Sequence, residues 1–376
     1  MPVGIRGVGL CCALGVDAPA SVATLLAGGG APHRVTLEGL ADSVEAAYFR
    51  IADGAPLFDP GRFERLIPPV VQAAVAEAGL SAAERRALPV YLGSSCFSIG
   101  LSESSYEAAL RQGATDASPM PHCGYGYLSE LARRAAGSEG PTFTYNTACT
   151  SAANALLGAI RALASGRYPH ALVLGAELAN RTTLTGFAGL QLLAERVRPF
   201  VAERNGIVLG EGIGAVLLSA EPGAGEYLLH GGASNCDGFS VTTANPDGES
   251  VAAALRQALD STGTAEVRGI RAHGTATPTG DMAEALGLRK VFRELPAISV
   301  LKPYLGHTLG ACGLTELVLY LGALRQGALP AAEPGTPDPQ LEVQVLDRQA
   351  EARPGRYLLN HFGFGGNNTV LVLEKP

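Results

Sequence analysis

Cys149 lies in the stretch YNTACTS, between a strand-like run (Thr142–Tyr145) and the alanine-rich SAANALLGAI, which has helical character. A cysteine at a helix N-terminus meets the positive end of the helix dipole and unpaired N–H groups, and both favour thiolate over thiol. A nucleophile is one reading of Cys149; a small buried hydrophobe at an element boundary is the other. The local sequence leaves both open.

Three further loops carry residue types that could serve a nucleophile. RAHGTATPTGDMAE (Arg271–Glu284) puts His273 after a strand, among Gly, Thr and Pro, ahead of an acidic helix start. There Asp281 has the place of an N-cap, with Glu284 three residues on. A histidine at the C-terminal end of a buried strand can reach the space above the sheet, where functional groups collect. SVLKPYLGHTLGACG (Ser299–Gly313) spaces Lys302 and His307 five residues apart on a glycine-rich turn; taken alone, either is ordinary surface or capping detail. NHFGFGGNN (Asn360–Asn368) sets three glycines and two phenylalanines between strands. It reads as a bulged hairpin, or as a flexible wall whose backbone N–H groups face an oxyanion. No G-x-S-x-G elbow, phosphate-binding loop or H-E-x-x-H is present, so the chemistries those motifs carry find no support.

The elements that must position these loops alternate. Strand-like runs such as VGIRGVGL, LPVYLGSS and HALVLGAEL are separated by alanine-rich helical runs, which predicts an α/β protein with buried sheets. A composition shift at EPGAGE (Glu221–Glu226) divides the chain into an N-terminal half, 1–223, carrying Cys149, and a C-terminal half, 224–376, carrying His273, Lys302 and His307. The second half repeats the first in outline: strand Ile270–His273, helix Met282–Arg293, strand Ala297–Leu301, a helix near Leu314–Gln326, then closing strands. Two similar halves would bring loops from each to a shared site.

Composition bounds the function. With 376 residues, 47% of them hydrophobic, 17% charged and 48 glycines without a period, the chain predicts a compact globule. No apolar run is long enough to span a bilayer, and the N-terminus lacks the features of a secretory signal, so a cytoplasmic location is expected. Seven cysteines (11, 12, 96, 123, 149, 236, 312) without a C-x-x-C pair argue against a disulfide framework and a zinc site. The net charge is −7 and no Lys/Arg-rich run occurs, which excludes a nucleic-acid footprint. An acidic partner would need a local basic patch.

In this order the four loops closely resemble the β-ketoacyl-[acyl carrier protein] synthases, in the elongating branch of the thiolase-like superfamily. YNTACTS resembles that family's nucleophile loop, RAHGTATPTGD and LKPYLGHTLGACG its two histidine loops, and NHFGFGGNN its C-terminal glycine loop. The likeness extends to VGIRGVGL and to RPFVAERNGIVLGEGIGAVLL (Arg198–Leu218), and so covers nearly the whole chain.

The resemblance implies a thiolase fold, five layers αβαβα built from two similar halves, usually as a homodimer. It implies a decarboxylating Claisen condensation in fatty-acid or polyketide chain elongation, with substrates carried on the phosphopantetheine of acyl carrier protein and no further cofactor or metal. Cys149 would take the acyl group. His273 and His307, both donating from Nε2, would hold the malonyl thioester oxygen. Lys302, close to Glu284 or Glu316, would tune their charge state. The backbone N–H groups of Cys149 and Phe364 would hold the tetrahedral intermediate, with Phe364 and Gly365 forming the gate. Phe187 and Phe97 would line the acyl pocket, and Arg62 and Arg65 would face the carrier protein. Two histidines point to elongation rather than priming. Retention of Cys149 argues against the non-catalytic chain-length-factor branch, although heterodimer assembly with a second ketosynthase-like chain stays open. Val201, Asn205 and Ile207 stand where that family usually has Asp, Asp and Phe, Leu305 where it has Thr, and His361 where it has a small residue. These departures put ordinary fatty-acid elongation in question and suggest a specialised pathway, such as a polyene or pigment-type polyketide.

Overall fold

The computed structural model describes residues 1–38, 43–113, 124–221, 223 and 225–376. Cys123 lies outside the described residues, as does Ala224, the first residue of the expected second half. Ten strands form one sheet: β1 (Val3–Cys12), β2 (Val90–Gly93), β3 (Thr142–Tyr145), β4 (His170–Glu177), β5 (Gly212–Ser219), β6 (Leu228–Cys236), β7 (Gly269–Arg271), β8 (Ala297–Ser299), β9 (Gly355–Phe362) and β10 (Asn367–Lys375). Their spatial order is β8-β7-β9-β10-β6-β1-β5-β4-β2-β3. Each group of five repeats the other: the order 3-2-4-5-1 recurs as 8-7-9-10-6. In both, three parallel strands are followed by antiparallel ones. The groups join through β1 and β6 (Val3 with Leu229, Gly4 with Leu228).

Strands β4 (HALVLGAE) and β5 (GIGAVLLS) are buried at every residue. Covered on both faces, they read as continuous apolar runs without alternation. β3 (TFTY) alternates exposed and half-buried residues and ends the sheet as an edge.

Helices fill the remaining layers: α1 (Arg62–Ala78) and α2 (Tyr127–Ala136) against the first five strands, α3 (Ser151–Ala164) in the middle, α4 (Glu249–Thr262) and α5 (Pro278–Val291) against the second five, and α6 (Cys312–Arg325) in the middle beside α3. The result is αβαβα. Twelve of the fourteen residues of α6 are buried, as befits a helix apolar on all sides. Glycine permits that density. A Cβ on Gly313 would stand 2.3 Å from the Ala153 nitrogen, and one on Gly93 2.3 Å from the Ala152 nitrogen, so α3 touches both α6 and β2 backbone to backbone. No helix among the described residues is long and apolar enough to cross a membrane.

Two local expectations are corrected. The helix expected at Met282 begins one turn earlier, because Thr277 caps it by accepting from Gly280 N and Pro278 supplies its first residue. Asp281 is therefore not the cap. It lies inside the helix, buried, accepting from the backbone N–H of Phe200 (2.7 Å) and of Ala276 (3.1 Å). Burial pushes its carboxyl up to about 7.

Candidate active site

Because the halves repeat, the loop after β3 and the loop after β8 are equivalent places. One carries Cys149 and the other Lys302 and His307, and each leads into a central helix. Before α3 the chain turns sharply: Ala148 has φ of 51°, and Ser151 Oγ accepts from Thr147 N (3.0 Å) while donating to Ala148 O (2.6 Å). Cys149 thus sits two residues ahead of the helix, buried, with its sulfur 3.1 Å from His307 Nε2.

Helix-start position alone suggested a thiolate. Burial reverses the balance: it pushes the Cys149 thiol up to about 11, and the Phe364 and Cys149 N–H groups and the Lys302 charge pull the other way without overcoming it. The resting group is a thiol. Its nearest proton acceptor is His307, which burial, and then the Lys302 charge, keeps well below the usual imidazole range. Nδ1 of His307 has no hydrogen-bond partner among the described residues. Its Nε2 can serve the sulfur as acceptor or a bound oxygen as donor.

His273 follows β7, its ring edge-on to His307 with centroids 5.3 Å apart. Its loop is fastened from below by Glu284, which accepts from His273 N and Gly274 N (both 2.9 Å) and from Asn360 Nδ2 (3.0 Å). Glu284 therefore holds backbone, and its expected place beside Lys302 falls to Glu316. The Lys302 ammonium donates to Glu316 Oε1 (2.7 Å) and His273 O (2.6 Å), and lies 3.3 Å from His273 Nδ1. An ammonium has only donors, so Nδ1 must accept and the ring proton resides on Nε2. Burial and the Lys302 charge hold His273 neutral.

Behind this layer lies a group that sequence reasoning did not assemble. Arg271, fully buried, donates to Glu316 Oε2 (2.9 Å), and its Nη2 is 2.5 Å from His361 Nε2. Cys312 Sγ donates to Cys149 O (3.0 Å) and stands 3.9 Å from His361 Nδ1. The only signal was His361 itself, an imidazole in place of a small residue; Arg271 and Glu316 are 45 positions apart and share no motif.

The turn between β9 and β10 closes the site from above. A Cβ on Gly363 would come within 3.1 Å of Cys149 N, so any side chain there would crowd the turn against Cys149. The Phe364 N–H reaches the sulfur. Gly365 does not add a second donor: its N–H is spent on Val241 O (2.7 Å), and its φ of 75° makes the turn.

Two cavities meet at Cys149. The more polar of the two, of about 110 Å³, is lined by His273, His307, Thr275, Ile207 and Phe362 among others. A nearly apolar one of about 290 Å³ is lined by Cys96, Phe187, Leu190, Leu309 and Phe364 among others. The stacked rings of Phe187 and Phe364 (5.6 Å apart) face both. Phe97, expected in the acyl pocket, is absent from either wall. It packs on Tyr125 (4.7 Å), and its neighbour Cys96 lines the apolar cavity instead.

Arg62 is a further correction. It faces inward, 1% exposed, donating to both oxygens of Glu211, to Asp53 Oδ2 and to Leu57 O. Arg65 is half-exposed, with its guanidinium 2.6 Å from Asp59 Oδ2.

A duplicated αβαβα core with a cysteine, two neutral histidines and a lysine at the junction of the halves defines a class, and the family comparisons agree. The β-ketoacyl synthase N-terminal domain matches residues 2–224 and the β-ketoacyl synthase C-terminal domain residues 228–334. The chain belongs to the β-ketoacyl synthase family and has the thiolase fold. It is 30% identical to Nodulation protein E of Rhizobium sp. (strain N33) over 99% of both chains. It is 28% identical to 3-oxoacyl-[acyl-carrier-protein] synthase 2 of Staphylococcus aureus (strain COL), covering 92% of this chain and 88% of that one. The ketosynthase (ApeO) in complex with its chain length factor (ApeC) from Xenorhabdus doucetiae superposes with a TM-score of 0.85 at 27% identity, covering 100% and 98% of the two chains. The ishigamide ketosynthase/chain length factor gives 0.86 at 26%, covering 100% and 99%.

Proposed function

We propose that the chain catalyses decarboxylative Claisen condensation between an acyl group held on Cys149 and a malonyl thioester, both delivered by an acyl carrier protein. The observation that carries this reading is the Cys149 sulfur 3.1 Å from His307 Nε2, with His273 beside it carrying its proton on Nε2 through Lys302. In the first half-reaction the sulfur attacks the acyl thioester carbonyl, its proton passes by way of His307 to the departing carrier thiol, and an acyl-cysteine remains. The Phe364 and Cys149 N–H groups would hold the oxyanion. In the second, the bond to the malonyl carboxylate breaks, carbon dioxide leaves, and the electron pair moves onto the thioester oxygen held by the two Nε2 donors. The enolate carbon then attacks the acyl-cysteine carbonyl, expelling the Cys149 sulfur as a thiolate, which takes up one proton from solvent. Both rings must be neutral with Nε2 protonated at that stage, and burial beside Lys302 favours the neutral form.

The apolar cavity suits a hydrocarbon chain, and Ile207 and His361 favour a specialised chain over ordinary fatty-acid elongation. The unpaired edge of β3 is suited to a second chain of the same fold, as homodimer or heterodimer. Docking of the carrier protein would then fall to Arg65 without Arg62.

Intact-protein mass spectrometry tests the nucleophile. Incubation with acyl carrier protein should add one acyl mass to the wild type and none to Cys149→Ala; an acylated variant would move the nucleophile elsewhere. Because His307 touches the sulfur and His273 does not, His307→Ala should slow acylation and malonyl decarboxylation together, whereas His273→Ala should spare acylation. Equal loss in both variants would contradict this division.

A further inference from the structure

Far from the nucleophile in the fold, at the other end of β4, the ring of His170 is buried to 2% exposure, yet neither of its nitrogens has a hydrogen-bond partner among the described residues. Nε2 faces Glu84 Oε1 and Glu221 Oε1, each 3.6 Å away. That spacing is too long for an N–H···O hydrogen bond, which settles near 2.9 Å. It matches what a shared cation would impose. With metal–ligand bonds of roughly 2.0–2.2 Å, two donors of a tetrahedral zinc lie about 3.4 Å apart.

The other oxygens of both carboxylates are already engaged. Glu84 Oε2 accepts from Ser81 N (2.7 Å) in the capping box of the short helix Ala82–Arg86, and Glu221 Oε2 accepts from Arg6 Nη1 (3.1 Å). These contacts leave each Oε1 turned toward the imidazole. We propose that His170, Glu84 and Glu221 form a site for a single divalent cation of the zinc type, completed by water. His170 Nε2 is the anchored donor. The glutamates are part-exposed side chains free to close the remaining gap, since no two of the three donor atoms are more than 4.8 Å apart. Nitrogen plus two carboxylates suits zinc better than calcium or magnesium, which prefer all-oxygen shells. The ion would staple the start of β4, the end of β5 and the helix Ala82–Arg86.

The absence of a C-x-x-C pair speaks only to thiolate sites. These three ligands come from three separate segments, which no local spacing could reveal. The second cluster with the right atom types, His273, Cys312 and His361, carries no such inference, because the Lys302 and Arg271 cations already sit on its nitrogens.

The test uses full-length protein freed of metal with a chelator, titrated with zinc chloride by calorimetry. Wild type should bind one equivalent that is lost in the double variant Glu84→Gln, Glu221→Gln, in which each glutamine keeps the oxygen-mediated contact of its parent. His170→Ala should lose the same equivalent, and acyl-cysteine formation in metal-free protein should be unchanged in the double variant. Equal zinc stoichiometry in wild type and double variant would overturn the site and assign any bound zinc to thiols such as the exposed Cys236. A wild type that binds no zinc would overturn it too.

Discussion

Each half of the molecule buries a cluster of charges, and the two are built in opposite proportion. In the N-terminal half one fully buried cation, Arg62, meets two carboxylates, Asp53 and Glu211, with the part-exposed Arg50 4.0 Å from Asp53 at the rim. Glu211 also accepts from Ile51 N and Ala179 N (both 3.0 Å), and Arg62 reaches Leu57 O (2.9 Å), so the group is closed upon itself. In the C-terminal half two cations, Lys302 and Arg271, share one carboxylate, Glu316. The surplus positive charge is directed at imidazoles: Lys302 at His273, Arg271 at His361. A saturated cluster ties segments together, whereas one with charge left over acts on its neighbours. Buried ion pairs are costly to break and weak evidence of net stability, so what separates the two is which partner remains when one is removed.

Arg62→Ala should show the largest effect. Glu211 loses its only arginine partner and stays buried, at a cost of about 3–5 kcal/mol. Chemical denaturation would measure this, with rate per folded molecule and affinity for carrier protein unchanged; a stable variant with weakened carrier binding would restore Arg62 to the surface. Lys302→Ala should do the reverse. Glu316 keeps Arg271, so the fold should persist while malonyl decarboxylation falls by about 10²–10³, in line with the loss of one oxyanion donor. An equally large loss of stability would erase the contrast.

Arg271→Gln should be milder, a drop in decarboxylation of about tenfold, equivalent to ~1.4 kcal/mol of barrier. Because the Arg271 charge helps hold His273 and His361 low, its removal should also move the acid limb of the pH–rate profile upward. An unmoved limb would reduce Arg271 to a purely structural role. The smallest effect concerns His361, held low by burial and then by Arg271. As pH falls below about 6.5 the unfolded chain binds a proton that the folded imidazole refuses, so this stability is present above that pH and lost below it. His361→Asn should flatten the acid-side fall in stability by up to about 1.4 kcal/mol per pH unit relative to wild type, read from denaturation curves between pH 5 and 7.

The same contrast marks what could be read from the sequence. Cys149, His273, Lys302 and His307 each lie on a short strand-to-loop turn, that of Cys149 rich in Thr and Ser and the other two rich in Gly with Thr and Pro, and the structure brings all four together at one place where the duplicated sheet orders meet. Local signals suffice when a loop carries its own turn chemistry. Arg62 and Phe97 were misplaced because their environment is set at a distance: Glu211 comes from 149 positions away, and the ring of Phe97 packs on Tyr125, 28 positions on. The thiolate expected of Cys149 failed for a related reason. A helix start is visible in sequence; the depth at which it is buried is not.

The glycine contacts at Gly313 and Gly93 carry a mechanical consequence. Where backbones touch, no side-chain rotamer can absorb displacement, so the strut between the sulfur and the second histidine is rigid and adaptation to substrate must occur in the turn around Phe364. Amide exchange should be slower along α3 and α6 than at Gly363–Gly366. On that expectation Cys149 and His307 form a fixed anvil, and the give lies in its cover.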